Sequence, residues 1–509
     1  MSAIPLDDPS LFGNDAGEDE NESVLMSYFV DRDDFKAFLD PRAPLAFTKG
    51  RKGMGKSALL VRFAHDQRVS PIEPSPLIIQ LIPARLIALK KPPETQSHPE
   101  LMNYWQQVIC SAINMQLARD IGFAWKDDHM ALVESAEVAG FLERGMVASL
   151  LARFAAKFKL GAIEIAPTAQ PINNNEELLS RIRQEQNTRR PVWFLLDDID
   201  AKFENTPAQR KFVSAFFSAC RELARRSDGI GIRATVRTDV WTNLRAEEDL
   251  DKCEQYVTPI TWSATQQESI LTHRVLGYVK RTAPASAAAN WTVDRDAQEI
   301  LNLVFIPRMR WGRATVPAVH VLRILAGGRP RWIAQLCRMA GRFATHEKHE
   351  RIALHHVKKA MPEFGKRRLD DLYKEHQYQF DGLKALLESF GGGPSNFTSD
   401  ALLRRIDQRY VRPTGKVLDV PPIDSVDYSD TLQLARFLFK IGFISACNAE
   451  YQSQGQGASQ FLNFEERPDL LEVETNLDGG MSWEVHPAYR NVLNIQASPR
   501  ESADSPLGG

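Results

Sequence analysis

Cysteine is scarce: Cys110, Cys220, Cys253, Cys337 and Cys447 are the whole complement of a 509-residue chain, and no two stand as C-x-x-C. That excludes a disulfide framework and a zinc knuckle, and it fits a reducing compartment. Long apolar runs are missing too. No stretch reaches the roughly 18 residues of a membrane span, and the N-terminus carries Asp and Glu where a signal peptide carries basic residues. A soluble, cytoplasmic protein is expected. Nor does one sign of charge prevail. With 63 Lys and Arg against 65 Asp and Glu, a chain coated in basic surface for indiscriminate nucleic-acid binding is excluded, so any such contact must be local. Length is ample: single cores stop growing at about 250–300 residues, so two or three domains are expected.

What is present is a phosphate-binding pattern. Gly50-Arg51-Lys52-Gly53-Met54-Gly55-Lys56-Ser57 matches G-x-x-x-x-G-K-[ST] without a gap. Pro44–Thr48 before it reads as a strand, and Ala58–Phe63 after it as a buried helix, which is the context such a loop needs. Glycines let backbone N–H groups wrap an anion, the helix N-terminus adds positive potential, Lys56 reaches the β/γ-phosphates, and Ser57 holds Mg²⁺. The expected nucleotide-binding set is Gly50, Gly53, Met54, Gly55, Lys56, Ser57 and Ala58. A second half follows in Pro191-Val192-Trp193-Phe194-Leu195-Leu196-Asp197-Asp198, an apolar strand that stops in two carboxylates. Asp197 is the candidate Mg²⁺ ligand and Asp198 the candidate general base.

The rest of the chain divides around these two motifs. Residues 1–24 are polar and acidic and read as a flexible or draped arm. Leu25, Tyr28, Phe29, Phe35, Phe38 and Leu39 follow at helical spacing. Pro76–Pro83 predicts a second buried strand. Residues 85–190 predict a helical insertion, with helices over Leu101–Leu117 and Met130–Lys159 before the polar run Asn173–Glu177. Gly229–Asp239 predicts a strand beside the acidic one, placing Thr235 and Arg237 as γ-phosphate sensors. Pro330 opens a predicted helix whose first turn carries Arg331. A cation there runs against the helix dipole, and a phosphate beneath a closing lid would supply the reason. Arg308, Arg310 and Arg313 make the same region locally basic. Gly391-Gly392-Gly393-Pro394-Ser395 predicts a domain boundary, after which helices at Ser399–Ile406 and Thr431–Ile441 and a strand at Trp483–Pro487 suit a winged helix. His486 is read as structural, since no ligand partner stands at metal spacing. Ala497–Gly509 reads as a disordered tail. The expected units are a core over 25–265, a helical lid over 266–390 and a winged-helix domain over 391–495.

With GRKGMGKS, FLLDDID, IRATVRTD and GGRPRW in that order, the chain resembles the AAA+/STAND branch of P-loop ATPases. It is most similar to bacterial members with a lid and winged helix laid out as in origin-recognition ATPases. The resemblance implies an α/β fold with an ASCE-type parallel sheet, its acidic strand separated from the phosphate-loop strand by another. It implies ATP and Mg²⁺ as ligands, Arg237 as first sensor and Arg331 as second. The acidic pair is Asp-Asp where many AAA+ motors carry Asp-Glu, a feature more like STAND switches, and no arginine finger can be singled out. Family association points to phage defence or DNA transactions. Two functions stay open: an ATP-binding and ATP-hydrolysing switch that couples nucleotide state to protein or DNA contacts, or a DNA-binding initiator or loader in which ATP is mainly structural. DNA through the winged helix and a homo-oligomer are the further partner expectations.

Overall fold

The computed structural model describes residues 4–121, 190–414, 430–448 and 460–496, apart from positions 15, 16, 73, 202, 205, 246, 248, 249, 312, 313, 378 and 465, together with Leu179. Five short apolar runs pair side by side. β1 (Leu45–Lys49), β2 (Leu77–Leu81), β3 (Val192–Leu196), β4 (Ile230–Val236) and β5 (Val257–Pro259) make one parallel sheet in the order β2-β3-β4-β1-β5. β4 therefore lies between the phosphate-loop strand and the acidic strand, as the resemblance implied. Lys49 pairs with Val236, and Leu196 with Ala234. The loop, the acids and the end of β4 thus share the carboxyl edge of the sheet, where open α/β sheets bind ligands.

Strand residues alternate between two cores. Leu45, Phe47, Val192, Phe194 and Leu196 face a core shared with the helices His98–Ile121 and Pro207–Arg226, while Ala46, Trp193 and Leu195 face the helix Lys56–Arg68. Of the expected insertion, the described part is helical. Its second helix, His98–Ile121, is no appendage, because Trp105 is fully buried and its Nε1 donates to the Phe212 carbonyl at 2.8 Å. Met130–Lys159 and Asn173–Glu177 lie outside the described residues.

β4 also carries a buried cation. Arg233 donates to the carbonyls of Phe38 (2.7 Å), Asp40 and Ala43 (both 2.8 Å), and its guanidinium lies 4.5 Å from the Phe63 ring and 4.7 Å from that of Trp193. Burial pulls its pKa down to about 9. The side chain latches the connection that enters β1 onto the sheet, and so helps place the phosphate loop. The helical spacing from Leu25 to Leu39 resolves as two helices, Glu22–Tyr28 and Lys36–Leu39, with a single 3₁₀ turn between them.

After the sheet come the lid helices Ala264–Thr282, Val293–Asn302, Ala318–Leu325, Pro330–His346 and Leu354–His376. An antiparallel hairpin interrupts them, β6 (Arg308–Trp311) with β7 (Ala314–Pro317). It carries Arg308 and Arg310, while Arg313 lies outside the described residues. The N-terminal arm is draped and not loose, since Leu6, Leu11 and Phe12 are buried in the lid core. Hydrogen bonds add to these contacts, from Tyr278 to Asp8 at 2.8 Å and from Arg338 to the Gly13 carbonyl at 2.6 Å.

The last unit combines the helices Ser399–Ile406 and Thr431–Lys440 with a sheet of order β10-β9-β11-β8: β8 (Asn396–Phe397), β9 (Ile444–Asn448), β10 (Gln460–Leu462) and β11 (Ser482–Val485). This is the winged-helix unit. Its core also takes Leu372, Phe380, Leu383 and Leu387, so the boundary expected at Gly391 falls inside it. Gly391-Gly392-Gly393 is a bonded turn, its N–H groups donating to the carbonyls of Glu388, Leu493 and Phe390. His486 is buried, accepts from the Ala488 N–H at 3.2 Å, and is pushed by burial to a pKa of about 3. Ala497–Gly509 lies outside the described residues. Among the described residues no helix is long and apolar enough to cross a membrane.

Candidate functional site

The phosphate loop turns from β1 into the helix Lys56–Arg68 by way of two left-handed glycines, Gly53 (φ 81°) and Gly55 (φ 100°). Most side chains would be strained there. A Cβ at Gly53 would also lie 3.1 Å from the Cβ of Arg331. The lid helix thus begins against the loop, and the Arg331 N–H donates to the Gly53 carbonyl at 3.3 Å. Trp262, between core and lid, donates from Nε1 to the Met54 carbonyl at 2.8 Å.

Facing this loop are the two acids. Lys56 is buried, and its Nζ lies 3.4 Å from Oδ1 of Asp198. Burial alone would lower the Lys56 pKa, but Asp198, Asp200 and Asp197 outweigh it, so the ammonium is held charged. Asp197 is more deeply placed: burial, then the Asp198 charge, push its carboxyl up to about 6 against hydrogen bonds from Ser57 and Thr235. The Thr235 hydroxyl donates to Asp197 Oδ1 and accepts from the Asp198 N–H at 2.8 Å. One hydroxyl therefore fixes both acids, with Asp198 in the left-handed region at φ 49°. Lys56, Ser57, Asp197, Asp198 and Thr235 thus lie together at this edge of the sheet.

Arg237 is placed elsewhere. Its guanidinium lies 3.2 Å from Asp200 and 3.0 Å from Asp239, and it donates to the Glu375 carbonyl at 3.2 Å. Burial would raise Asp239, but Arg237, His376 and the bond from Gln379 hold it well below the usual carboxylate range. Glu375 pairs in turn with buried Arg329 at 3.7 Å. Arg237 thus ties the end of β4 to the lid instead of facing the loop. Asp200, pushed up to about 6 by burial, belongs to this tie. Its only signal in the sequence is its place two residues beyond the acidic pair.

Between loop and lid lies a pocket. Gly53, Met54, Gly55, Lys56, Ser57, Ala58, Asp198 and Arg331 line its polar end, and Leu25, Tyr28, Phe29, Val30, Phe35 and Ile270 its apolar side. Arg274 closes over Tyr28, 4.8 Å from the ring. An apolar slot beside an anion cradle suits a nucleobase and its phosphates. The donor set fits as well: Arg331 Nε is buried in this wall with no hydrogen-bond partner, a group an anion would satisfy. Ser57 and Asp197 offer the hard oxygen ligands Mg²⁺ prefers. Gly50 lies at the loop's entry, its N–H donating to Val236 O at 3.2 Å.

No family model and no curated protein matches the chain. Among solved structures it is similar to Cdc6p from Pyrobaculum aerophilum, at 12% identity over 90% of this chain and 93% of that one, with a TM-score of 0.35. The ORC1 protein of Aeropyrum pernix, solved in complex with DNA, gives 14%, 97% and 93%, and 0.33. Drosophila ORC bound to DNA gives 12%, 91% and 92%, and 0.31. Likeness at this level says nothing of what this chain binds.

Proposed function

We propose that the chain is an ATP-binding and ATP-hydrolysing switch whose nucleotide state reaches the lid and the winged-helix unit through one loop. The observation that carries this reading is the double attachment of the phosphate loop. Gly53 accepts from Arg331 of the lid, while Arg51 donates to the Lys440 carbonyl of the winged-helix unit at 3.1 Å. An anion drawn into the loop bears on both contacts at once, which is what a ligand-biased two-state device requires. Lys56 and Arg331 hold the phosphates, Ser57 and Asp197 hold Mg²⁺, and Asp198 takes a proton from the attacking water. Mg²⁺, when bound, neutralises charge on the β- and γ-phosphate oxygens.

Two measurements test the two halves of the proposal. Slow ATP turnover is expected from the purified chain with Mg²⁺; none with any partner present ends the enzymatic half. Hydrogen exchange of Phe437–Gly442 is expected to differ between ADP and a non-hydrolysable ATP analogue, and identical profiles end the coupling half.

The raised Asp197 carboxyl adds a pH dependence. Because its pKa in the fold is about 6, the carboxyl takes up a proton as pH falls below that value, and Mg²⁺ must displace it. Mg²⁺ affinity in the ATP complex should therefore fall more steeply below pH 6 in the parent than in Asp197→Asn, which keeps only the slope of the nucleotide's own terminal phosphate. Titrations of both chains at pH 5, 6 and 7 check it; equal slopes remove Asp197 from the metal site.

A further inference from the structure

The two long lid helices meet in a turn that gathers titratable side chains with no part in nucleotide binding. Glu347 caps the helix Pro330–His346, and Lys348 reverses the chain at φ 59°. His349 follows, and His355 and His356 stand in the first turn of Leu354–His376. Since Arg331 stands in the first turn of the 17-residue helix that Glu347 closes, the turn lies about 24 Å along the helix from the phosphate loop. It is a separate place.

Its distances are those of ligands around one ion. Oε2 of Glu347 lies 3.7 Å from His349 Nδ1, 3.2 Å from His355 Nε2 and 3.4 Å from His356 Nε2, and His349 Nδ1 lies 2.9 Å from His356 Nε2. All four groups place one ligand atom within 4.8 Å of the others. Ligands at 2.0–2.2 Å on a tetrahedral zinc stand about 3.3 Å apart. Hydrogen bonds sort the four groups. The Ala353 N–H donates to His356 Nδ1 at 2.9 Å, so the neutral ring keeps its proton on Nε2 and is a donor toward the cluster. Lys359 engages Glu347 Oε1 and leaves Oε2 facing the imidazoles. The nearest acceptor to the His356 Nε2–H is His349 Nδ1 at 2.9 Å, so Glu347 Oε2 and His355 Nε2 are the lone-pair donors that face the centre, and His349 Nδ1 joins them when an ion displaces that bond.

We propose that Glu347, His349 and His355 bind a divalent ion of the zinc class, the His356 Nε2–H giving up His349 Nδ1 for the Glu347 carboxylate 3.4 Å away, with water completing the shell. Two imidazoles and one carboxylate suit Zn²⁺, whereas Mg²⁺ and Ca²⁺ take oxygen ligands. A hydrogen-bonded outer partner is what ligating carboxylates ordinarily have. Side chains of His349 and His355 are 51% exposed, so an ion can enter from solvent and water can remain on it. Bound there, it pins the end of one lid helix to the start of the next.

The test uses the full chain made without a polyhistidine tag, stripped with a chelator and titrated with ZnCl₂ against a chromophoric competitor. One Zn²⁺ per chain is expected at this site, with Mg²⁺ giving no competition. Glu347→Gln and His355→Ala should each weaken it by about 100-fold or more. The Tm of the parent chain should rise with Zn²⁺, and that of the variants should not. His355 is exposed enough for its loss to leave the fold intact, and equal Tm without metal verifies this. A chain that takes up no Zn²⁺, or a His355→Ala chain that titrates like the parent, overturns the proposal.

Discussion

Lys56→Ala is expected to lose nucleotide binding by three orders of magnitude or thereabouts, the largest effect of any single substitution in the pocket. Lys56 is the buried cation at the centre of Asp197, Asp198 and Asp200, and its Nζ stands 3.4 Å from Asp198. Truncating it withdraws the charge a triphosphate would meet and leaves those acids facing the same space. Removing one partner of a buried, hydrogen-bonded charge pair costs about 2–5 kcal/mol, or about 30- to several thousand-fold in affinity. Like charge adds to the loss, since Asp197 then approaches the phosphates without its counter-ion. Lys56→Arg should not restore binding, because a planar fork cannot occupy the place of a compact ammonium between glycines. Calorimetric titration with an ATP analogue, beside the Tm of the nucleotide-free chain, separates lost binding from lost fold. Affinity within threefold of the parent would remove the phosphate-binding role.

The halves of this site differ in how far the chain announces them. GRKGMGKS declares its own geometry, because glycine at Gly53 and Gly55 answers a local backbone need and the strand before it is a plain apolar run. The Asp197–Asp198 pair is a plain apolar run stopping in two acids, whereas the strand lying between it and the phosphate-loop strand is implied only by the resemblance. Contacts made across the chain are another matter. Arg237 stands two residues beyond Thr235, where the resemblance implies the first sensor, yet Asp200, Asp239 and the Glu375 carbonyl claim it. Asp239 closes IRATVRTD itself, but Asp200 and Glu375 come from elsewhere in the chain, and no spacing within that run encodes them. Arg233 could have been suspected, since a cation inside an apolar strand needs partners, but its carbonyls lie near residue 40. Gly391-Gly392-Gly393 misleads by composition: three glycines read as a linker until Leu372 and Phe380 upstream are seen packing with the winged-helix core. The histidines after Glu347 have no recognised metal spacing and become a cluster only through the turn that folds them together.

Asp198→Asn is expected to keep ATP binding and to slow hydrolysis by about 10²–10⁴-fold, the usual contribution of a positioned proton acceptor. The site permits a clean reading of this change. Asp198 holds φ 49°, a conformation asparagine tolerates at least as well as aspartate. Its backbone N–H keeps the bond to Thr235, so Asp197 keeps its own hydroxyl partner. The pair with Lys56 joins a buried ammonium to a carboxyl side chain that is 50% exposed, so its loss disturbs the fold far less than loss of Lys56. Affinity should stay within a few-fold of the parent, or rise, since one negative charge leaves the neighbourhood of the phosphates. Asp197→Asn should behave differently, because a neutral amide there weakens Mg²⁺ and with it both binding and turnover. Single-turnover hydrolysis measured beside equilibrium binding for the two variants distinguishes the roles. Equal loss of binding in both would mean that the acids act as one metal-holding unit and that the proton goes elsewhere. Full turnover in Asp198→Asn would leave Asp197 as the sole carboxylate of the pair with a place in the chemistry.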